Sequence, residues 1–290
     1  MRALVTGAAG RLGTAVLSEL ESRGIAATAL VAEDPGLLPA DRVVVGDARD
    51  PAAVDDALDG ADTVIHLAAL ASPEVAAPEV VFATNTQATF VVLEQAGQRG
   101  VSRAVIASSL SITGLPFART QRHPPYLPLD TDVPLLIEDP YALSKQADEA
   151  TAAMMHRRHG MTVTALRFPF LGDPGRLADH AGRLARDPAA GASEMWSYLD
   201  LRDAARACLL GLTAPLEGAP VIFVTAPDTL VTAPTEDLLA AHHPRVPRRT
   251  VLEGRNVAID LEPAGRLLGF TAQYPYTGPH VVSYPEEQHP

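Results

Sequence analysis

The chain has 290 residues, 47% of them hydrophobic and 20% charged, which is ordinary for a globular protein of one large domain or two unequal lobes. The formal net charge of −12 argues against nucleic acids and anionic membrane surfaces as partners. The single cysteine, Cys208, excludes an internal disulfide framework and fits a reducing cytoplasm, where we expect the protein to be located.

The start of the chain predicts a strand over residues 2–6 rather than a signal peptide. No apolar run approaches the length of a membrane-spanning helix, so we expect no membrane partner.

A glycine-rich turn joins this strand to a helix predicted over residues 14–23. The turn reads Thr6-Gly7-Ala8-Ala9-Gly10-Arg11-Leu12-Gly13. In a strand–turn–helix context the first glycine permits a tight bend, the second lets the backbone approach a pyrophosphate, and the third allows close helix packing. Unpaired amides at the helix N-terminus favour phosphate binding. The pattern therefore favours a dinucleotide site over a glycine turn without a ligand.

The second strand, predicted over residues 25–31, should end near the adenosine ribose of such a cofactor. An acid at this point selects NAD, whereas a basic group accommodates the extra phosphate of NADP. Glu33 could bind the ribose hydroxyl, Arg11 could instead face a phosphate, and the acids could equally be solvated loop charges. The sequence leaves both cofactors open and favours NAD slightly.

Two further predicted strands, over residues 42–45 and 62–67, end in residues suited to a nucleotide. Asp47 is a short acid that could accept a hydrogen bond from an adenine amino group. Ala68 and Ala69 are small enough for the backbone to lie close to a ribose, whereas His66 is more typical of a packed, hydrogen-bonded histidine.

A long helix over residues 78–99 carries Asn85, and an amide at such a place usually holds a loop. The fifth strand, over residues 103–107, closes with Ser108-Ser109. Residues 110–139 then form a proline-rich loop, and a loop of this length inside a domain is usually a lid or a binding segment.

Asp139-Pro140 predicts the start of a helix that carries Tyr141 and Lys145. Of the 23 basic residues one is a lysine, so the other 22 are arginines. Side chains four residues apart share one helical face, and an ammonium beside a phenol favours the phenolate. The pair predicts a proton donor and acceptor for a carbonyl or alcohol, although a surface tyrosine–lysine pair at this spacing is also common.

A sixth strand over residues 161–167 completes an alternation that implies a parallel, doubly wound α/β sheet of the Rossmann type. We expect residues 1–167 to form the dinucleotide-binding domain. Residues 168–290 are expected to form mainly a small α/β substrate lobe, with some segments that return to the sheet. The adjacent His242 and His243 point apart in a helix, so we expect a solvent-facing helix end and no metal site.

Together these motifs resemble the extended short-chain dehydrogenase/reductase family, in its epimerase/dehydratase-like branch. The motifs are T-G-x-x-G-x-x-G at 6–13, Asp47, H-L-A-A at 66–69, Asn85, Ser108-Ser109, Y-x-x-x-K at 141–145, L-R-F at 166–168, and the segments 198–204 and 265–270.

The resemblance implies that Tyr141 is the general acid/base and that Lys145 supports it and holds the nicotinamide ribose. By register from Gly114, Ser109 would bind the substrate oxygen, with Ser108 the weaker candidate. The implied cofactor contacts are Gly7, Gly10, Arg11, Leu12, Gly13, Glu33, Asp47, Ala48, Leu67, Ala68, Ala69, Asn85, Tyr141 and Lys145.

One departure bears on the substrate. Members that act on nucleotide sugars commonly carry an asparagine where this chain has Phe170, and the substrate lobe is short. We therefore expect a free sugar, a sugar acid, or a natural-product ketone or alcohol, as in uronate-dehydrogenase-like members. Pocket candidates, each of which could equally be packing, are Ser72, Ser111, Thr113, Phe170 and Trp196.

Two alternatives remain open: a nucleotide-sugar epimerase or dehydratase, and a catalytically silent NAD(P)-sensing regulator. Intact Ser109, Tyr141 and Lys145 argue against the second. Family members often dimerise through the helices that carry Asn85 and Tyr141. A homodimer is therefore expected, and the residues that could face a partner, or lie in the core, are Phe82, Phe90, Val91 and Met154.

Overall fold

Parallel strand pairing dominates the computed structural model, which describes residues 1–278. The strands are β1 (Arg2–Thr6), β2 (Ala26–Val31), β3 (Arg42–Val45), β4 (Thr63–His66), β5 (Arg103–Ser109), β6 (Thr162–Phe168), β7 (Phe170–Gly172), β8 (Tyr198–Asp200) and β9 (Val221–Phe223). The helices are α1 (Arg11–Ser22), α2 (Pro51–Ala57), α3 (Pro78–Gln98), α4 (Pro140–His159), α5 (Pro174–Arg186), α6 (Leu201–Thr213), α7 (Thr235–His242) and α8 (Glu262–Leu268).

Seven of these strands form one sheet in the order β3-β2-β1-β4-β5-β6-β9, and every pair in it is parallel. The chain starts in β1, winds outward to β3, and then crosses to β4 on the other side. Ligands of such sheets bind at the carboxyl ends of the strands where the winding direction changes. The predicted parallel, doubly wound α/β fold is confirmed.

Both faces of the sheet are covered by helices, because neighbouring strand residues point to opposite sides. In β1, Val5 packs into a core with α1, α6 and α8, whereas Leu4 packs into a core with α2, α3 and α4. Both side chains are fully buried. The near-continuous apolar strands of the sequence follow from this two-sided burial.

The helix α4 has a defined start and end. A carboxylate oxygen of Asp139 accepts a hydrogen bond from the Ala142 amide at 2.8 Å, and Pro140 occupies the first turn. Gly160 ends the helix with φ 71°, the left-handed conformation that glycine adopts without steric cost. These caps fix where the first turn of α4, with Tyr141, meets the sheet edge.

A separate core builds the smaller lobe. β7 pairs with β8, and the buried side chains of Trp196, Tyr198 and Leu239 pack there among residues of α5 and α7. β9 instead returns to the main sheet and pairs with β6.

The proline-rich segment after β5 is tied to this lobe. After a 3-10 turn at Leu110–Thr113, its backbone donates hydrogen bonds from Leu127 to Pro247 and from Leu129 to Ala258, each at 2.9 Å. The segment is therefore anchored at its centre. No helix within residues 1–278 combines the length and the apolar character needed to cross a membrane.

Candidate active site

A cavity of about 960 Å³ lies at the carboxyl edge of the central sheet. Gly7, Glu33, Leu67 and Ser109 follow or end four different strands and all line it. α4 adds Tyr141 and Lys145. The parallel topology brings these segments together, because the carboxyl ends of parallel strands share one edge.

The glycine turn after β1 is pressed against the end of β4. Gly7 has φ +63°, and a Cβ atom there would lie 2.7 Å from the Ala68 amide nitrogen. A Cβ on Gly13 would lie 2.3 Å from the Gly7 carbonyl oxygen. Gly10 begins α1 without any side-chain cap, so the first amides of the helix have no side-chain acceptor. The turn therefore leaves a space that a Cβ atom on Gly7 or Gly13 would fill, beside the free amides of the first turn of α1. Such a space fits the pyrophosphate of a dinucleotide.

Tyr141 and Lys145 lie one helical turn apart at the cavity, and they are 8% and 4% exposed. The Lys145 ammonium nitrogen is 5.7 Å from the centre of the Tyr141 ring and 3.2 Å from a carboxylate oxygen of Asp148. Burial alone would lower the pKa of Lys145, but the charges of Asp148 and Tyr141 outweigh it and raise that pKa. Lys145 is therefore a permanent positive charge beside the phenol.

His66 connects the glycine turn to this helix face. Its Nδ1 atom lies 2.7 Å from the Thr6 hydroxyl and its Nε2 atom lies 3.1 Å from the Thr89 hydroxyl. The Thr6 oxygen already accepts from the amides of Leu67 and Ala68, so its proton goes to His66 Nδ1 and His66 donates from Nε2. Burial and the charge of Lys145 lower the pKa of His66 to about 3. The histidine is neutral and structural, as the sequence indicated.

Asn85 holds a loop and does not line the cavity, which corrects its prediction as a cofactor contact. Its carbonyl oxygen accepts from the Leu70 amide at 2.8 Å, and its amide nitrogen donates to the Leu70 carbonyl at 3.1 Å and to the Ser144 hydroxyl at 3.0 Å. The Ser144 hydroxyl donates to the Tyr141 carbonyl at 2.7 Å. Asn85 thus joins the segment after β4 to the first turn of α4.

The two serines at the end of β5 have different partners. Ser108 donates to a Glu149 carboxylate oxygen at 2.6 Å, and Glu149 pairs with Arg167 through two contacts of 2.9 Å. Among residues 1–278 the Ser109 hydroxyl forms hydrogen bonds with Ser111 alone, accepting from its amide and donating to its hydroxyl, both at 3.1 Å. Since Ser108 is held by a buried ion pair, the geometry favours Ser109 as the group free to bind a substrate oxygen.

Most of the other predicted contacts also line the cavity. These are Gly10, Arg11, Leu12, Gly13, Ala68 and Ala69 on the cofactor side and Ser72, Ser111 and Phe170 on the substrate side. Asp47 and Ala48 do not line it, and the Asp47 carboxylate is paired with Arg49 at 2.6 Å.

Thr113 and Trp196 correct the predicted substrate set, because both lie in the core. Thr113 is 2% exposed and donates to the Leu110 carbonyl. Trp196 is 1% exposed, and its indole nitrogen donates to the Pro188 carbonyl at 2.7 Å. Neither side chain reaches the cavity wall.

Besides Asp34, which follows the predicted Glu33, two charged cavity residues were not predicted, Arg176 and Glu194. The Arg176 guanidinium lies 4.6 Å from the centre of the Phe170 ring and donates to the Leu171 carbonyl at 3.1 Å. No sequence signal marks either residue, because their positions depend on how α5 and residues 188–194 pack on the lobe.

His243 is fully buried, which corrects its prediction as a solvent-facing helix end. Its Nδ1 atom lies 2.9 Å from Nδ1 of His123, and its Nε2 atom bonds to the Ala192 carbonyl. Within residues 1–278 no group of three or more His, Cys, Asp or Glu side chains is arranged to hold a metal ion.

Known proteins resemble the chain over most of its length. A family model described as the NAD dependent epimerase/dehydratase family matches residues 3–225. An L-arabinose 1-dehydrogenase (NAD(P)(+)) of Haloferax volcanii is 32% identical over 59% of this chain and 67% of its own length. A uronate dehydrogenase of Pseudomonas putida is 29% identical over 57% of this chain and 59% of its own length. The matches thus span between about three fifths and two thirds of the length of these curated relatives.

A solved structure extends the likeness to nearly the whole fold. A short-chain dehydrogenase/reductase superfamily protein from Agrobacterium tumefaciens, with bound NAD, is 26% identical and superposes with a TM-score of 0.72. The match covers 95% of this chain and 94% of that one.

Proposed function

Because the chain belongs to the NAD-dependent epimerase/dehydratase family, we propose that it is an NAD(P)-dependent oxidoreductase acting on a carbonyl or alcohol of a small sugar-related substrate. Membership confirms the resemblance drawn from the motifs. The observation that carries the proposal is the meeting of Ser109, Tyr141 and Lys145 in one cavity with the glycine turn.

The proposed cofactor is NAD or NADP, with NAD favoured. When bound, the nicotinamide would supply the hydride acceptor or donor of the reaction. Gly7, Gly10 and Gly13 would hold the pyrophosphate, and Lys145 the nicotinamide ribose. Glu33 lines the cavity beyond β2, where a carboxylate accepts from a ribose hydroxyl and repels a 2′-phosphate.

In the oxidative direction, Tyr141 would take the proton from the substrate hydroxyl as a phenolate. The charge of Lys145 stabilises that phenolate, because opposite charges interact strongly at a buried site. Ser109 would donate a hydrogen bond to the same substrate oxygen. A donor that is already in place stabilises charge on that oxygen most strongly where the cavity limits water. In the reductive direction Tyr141 returns the proton.

A free sugar or sugar acid fits the substrate end best among the expected classes. Phe170 lines the cavity there. The two curated relatives named above are a sugar dehydrogenase and a sugar-acid dehydrogenase, which supports the same class.

A nucleotide-sugar epimerase or dehydratase is the second candidate, favoured by Arg176. This arginine lines the cavity, and its guanidinium forms no ion pair among residues 1–278, so it could receive a phosphate.

We also propose the expected cytoplasmic homodimer through α3 and α4. Phe90 supports it, because this large apolar side chain is 46% exposed on α3. Phe82, Val91 and Met154 are partly buried, so packing within the protein accounts for part of their apolar character. Light scattering of the wild type and of Phe90→Glu tests the interface: the wild type should be dimeric, and the variant should shift toward monomer.

The function is tested by screening aldoses, uronic acids and ketones with NAD and with NADP, read at the nicotinamide absorbance. We expect net cofactor reduction with at least one sugar or sugar acid. Conversion of a nucleotide sugar with no net change in cofactor, and no turnover of any free sugar, would establish the second candidate instead.

A further inference from the structure

The Glu194 carboxyl has no hydrogen-bond donor within the described part of the chain. Glu194 is partly buried and lines the same cavity as Ser109 and Tyr141. The contacts at this residue are made by its backbone: its carbonyl oxygen accepts from the Ser197 amide at 3.0 Å and from the Ser197 hydroxyl at 2.6 Å. The carboxyl itself takes part in no ion pair among residues 1–278.

Two other enclosed carboxylates have charged partners, although the buried Asp139 has none among residues 1–278 and one of its oxygens has no hydrogen-bond donor there. Glu149 is held by Arg167, and Glu94 by Arg158 and His159. Burial raises the pKa of Glu194, and no neighbouring cation opposes it. A carboxylate on a cavity wall that receives no donor from the protein is available to donors of a ligand.

The arginines of the cavity do not compensate Glu194. Burial, together with the charges of Arg11 and Arg183, lowers the pKa of Arg176, and Asp173 opposes the change. Glu194 takes no part in that balance. The two cavity arginines therefore lie beside the glycine turn and on α5, and neither pairs with Glu194. Glu194 is a separate hydrogen-bond acceptor on the cavity wall.

The backbone that presents Glu194 is held in an unusual conformation. Met195 and Trp196 have φ 53° and φ 50°, although neither is glycine. The Trp196 indole nitrogen bonds to the Pro188 carbonyl, and the ring packs so closely on Gly191 that a Cβ there would lie 2.4 Å from it. Strained backbone of this kind persists where the surroundings enforce it, and it clusters at binding sites. Trp196 thus fixes the place of Glu194 from behind the wall.

We propose that the Glu194 carboxylate accepts hydrogen bonds from hydroxyl groups of the substrate and so selects a neutral sugar over the corresponding sugar acid. A sugar hydroxyl supplies the donor that the carboxylate lacks, whereas a second carboxylate would be repelled by it. The inference rests on the proposed oxidoreductase function and narrows its substrate class.

The test compares kcat/KM for an aldose and for its uronic acid in the wild type, in Glu194→Gln, and in the control Glu217→Gln. Glutamine keeps the shape and removes the charge, and Glu217 is exposed and lies outside the cavity. We expect Glu194→Gln to lower kcat/KM for the aldose by about tenfold through KM, because a hydrogen bond to a charged acceptor is lost. The preference for the aldose over the uronate should fall by at least that factor. Cofactor affinity should stay unchanged, the melting temperature should stay the same or rise because an unpaired, partly buried charge is removed, and Glu217→Gln should match the wild type.

Two results would overturn the inference while leaving the proposed function intact. One is an aldose-to-uronate preference that is the same in the wild type and in Glu194→Gln. The other is a strong preference for a 2-amino sugar that disappears in the variant, since the carboxylate would then bind an ammonium group. Failure of the proposed function would look different, because the wild type would then reduce the cofactor with no sugar at all.

Discussion

The Lys145 ammonium nitrogen lies 3.2 Å from a carboxylate oxygen of Asp148, and both side chains are almost completely buried. Tyr141, Lys145 and Asp148 occupy successive turns on one face of α4. The charge that supports the phenol is therefore itself balanced by a carboxylate one turn further on. This arrangement makes the behaviour of the lone lysine depend on Asp148.

Replacing Asp148 with asparagine should shift the pH profile of the oxidative reaction. The carboxylate of Asp148 contributes to the raised pKa of Lys145, so removing it should lower that pKa and move the alkaline limb of kcat/KM to lower pH. Glu149 and His66 also face this site, Glu149 being paired with Arg167 and His66 being neutral. Steady-state kinetics over a pH series measure the shift, with Asp237→Asn as an exposed control.

The same change should also destabilise the protein. Lys145 would be left as an uncompensated buried charge, at a cost of about 3–5 kcal/mol in the free energy of unfolding. The double variant Lys145→Met/Asp148→Asn removes both charges and should recover much of that loss in urea titrations. A double variant less stable than Asp148→Asn would contradict this account, because Lys145 would then stabilise the fold without its carboxylate partner.

Lys145→Arg should inactivate the enzyme, although 22 of the 23 basic residues are arginines. The planar guanidinium is larger than an ammonium and cannot occupy the space between Tyr141 and Asp148 while also reaching a ribose. We expect kcat to fall by about 100-fold or more, with a weaker affinity for the cofactor measured by fluorescence titration. Activity near the wild-type level would mean that a generic positive charge is sufficient here.

Tyr141→Phe should abolish turnover while cofactor affinity stays nearly unchanged. The substitution removes one hydroxyl and keeps the packing of a ring that is 8% exposed. Loss of a general acid/base typically costs about 100- to 10,000-fold in rate. Retained activity in this variant would contradict the proposed role of Tyr141 as general acid/base.

The sequence predicted the parts of this protein whose structure is decided locally. The glycine turn, the cap at Asp139 and the tyrosine–lysine pair each lie within a few consecutive residues. The parallel, doubly wound sheet was also predicted, because parallel strands joined by helices admit few topologies. His66 was also interpreted correctly, since a histidine at the end of a buried strand has backbone and hydroxyl groups in reach.

The residues that were missed or misplaced depend on contacts between distant segments. Glu194 reaches the cavity through the left-handed backbone at Met195 and Trp196, which no sequence pattern marks. The same geometry turns the Trp196 ring into the core. Asn85 lies on a helix that passes behind the cavity, so its amide meets Leu70 and Ser144.

Two glycines with the same backbone conformation allow the cofactor cradle to be tested. Gly7 and Gly24 have φ +63° and φ +65°, but of the two only Gly7 has neighbouring atoms within 4 Å of the position that a methyl group would take. Gly24→Ala should cost about 1–2 kcal/mol of stability from backbone strain alone, with activity kept. Gly7→Ala should lose more, because the methyl group collides with the Ala68 backbone, and cofactor affinity should fall as well. Equal effects of the two substitutions would show that the close approach of the turn to β4 has no part in binding.

His66 should make the protein sensitive to mild acid. Its pKa of about 3 in the fold lies below its ordinary value of 6.5, so the neutral ring is favoured in the folded state. The stability linked to it is complete above pH 6.5 and is lost as the pH falls toward 3. Burial also lowers the pKa of His180 to about 4 and that of His243, so three protons contribute to the slope of stability against pH. Glu94, whose pKa Arg158 and His159 lower to about 2, adds to the loss only at more acidic pH.

His66→Gln should therefore reduce the slope of stability against pH between pH 6.5 and pH 4.5. The reduction should equal the contribution of one proton, because glutamine does not titrate but keeps polar contacts with Thr6 and Thr89. Urea titrations of the wild type and the variant at several pH values measure the slope. The variant should be less stable than the wild type at pH 7, where the neutral histidine makes both hydrogen bonds, and the gap should narrow as the pH falls. A gap that is constant with pH would mean that His66 does not titrate differently in the folded and unfolded states.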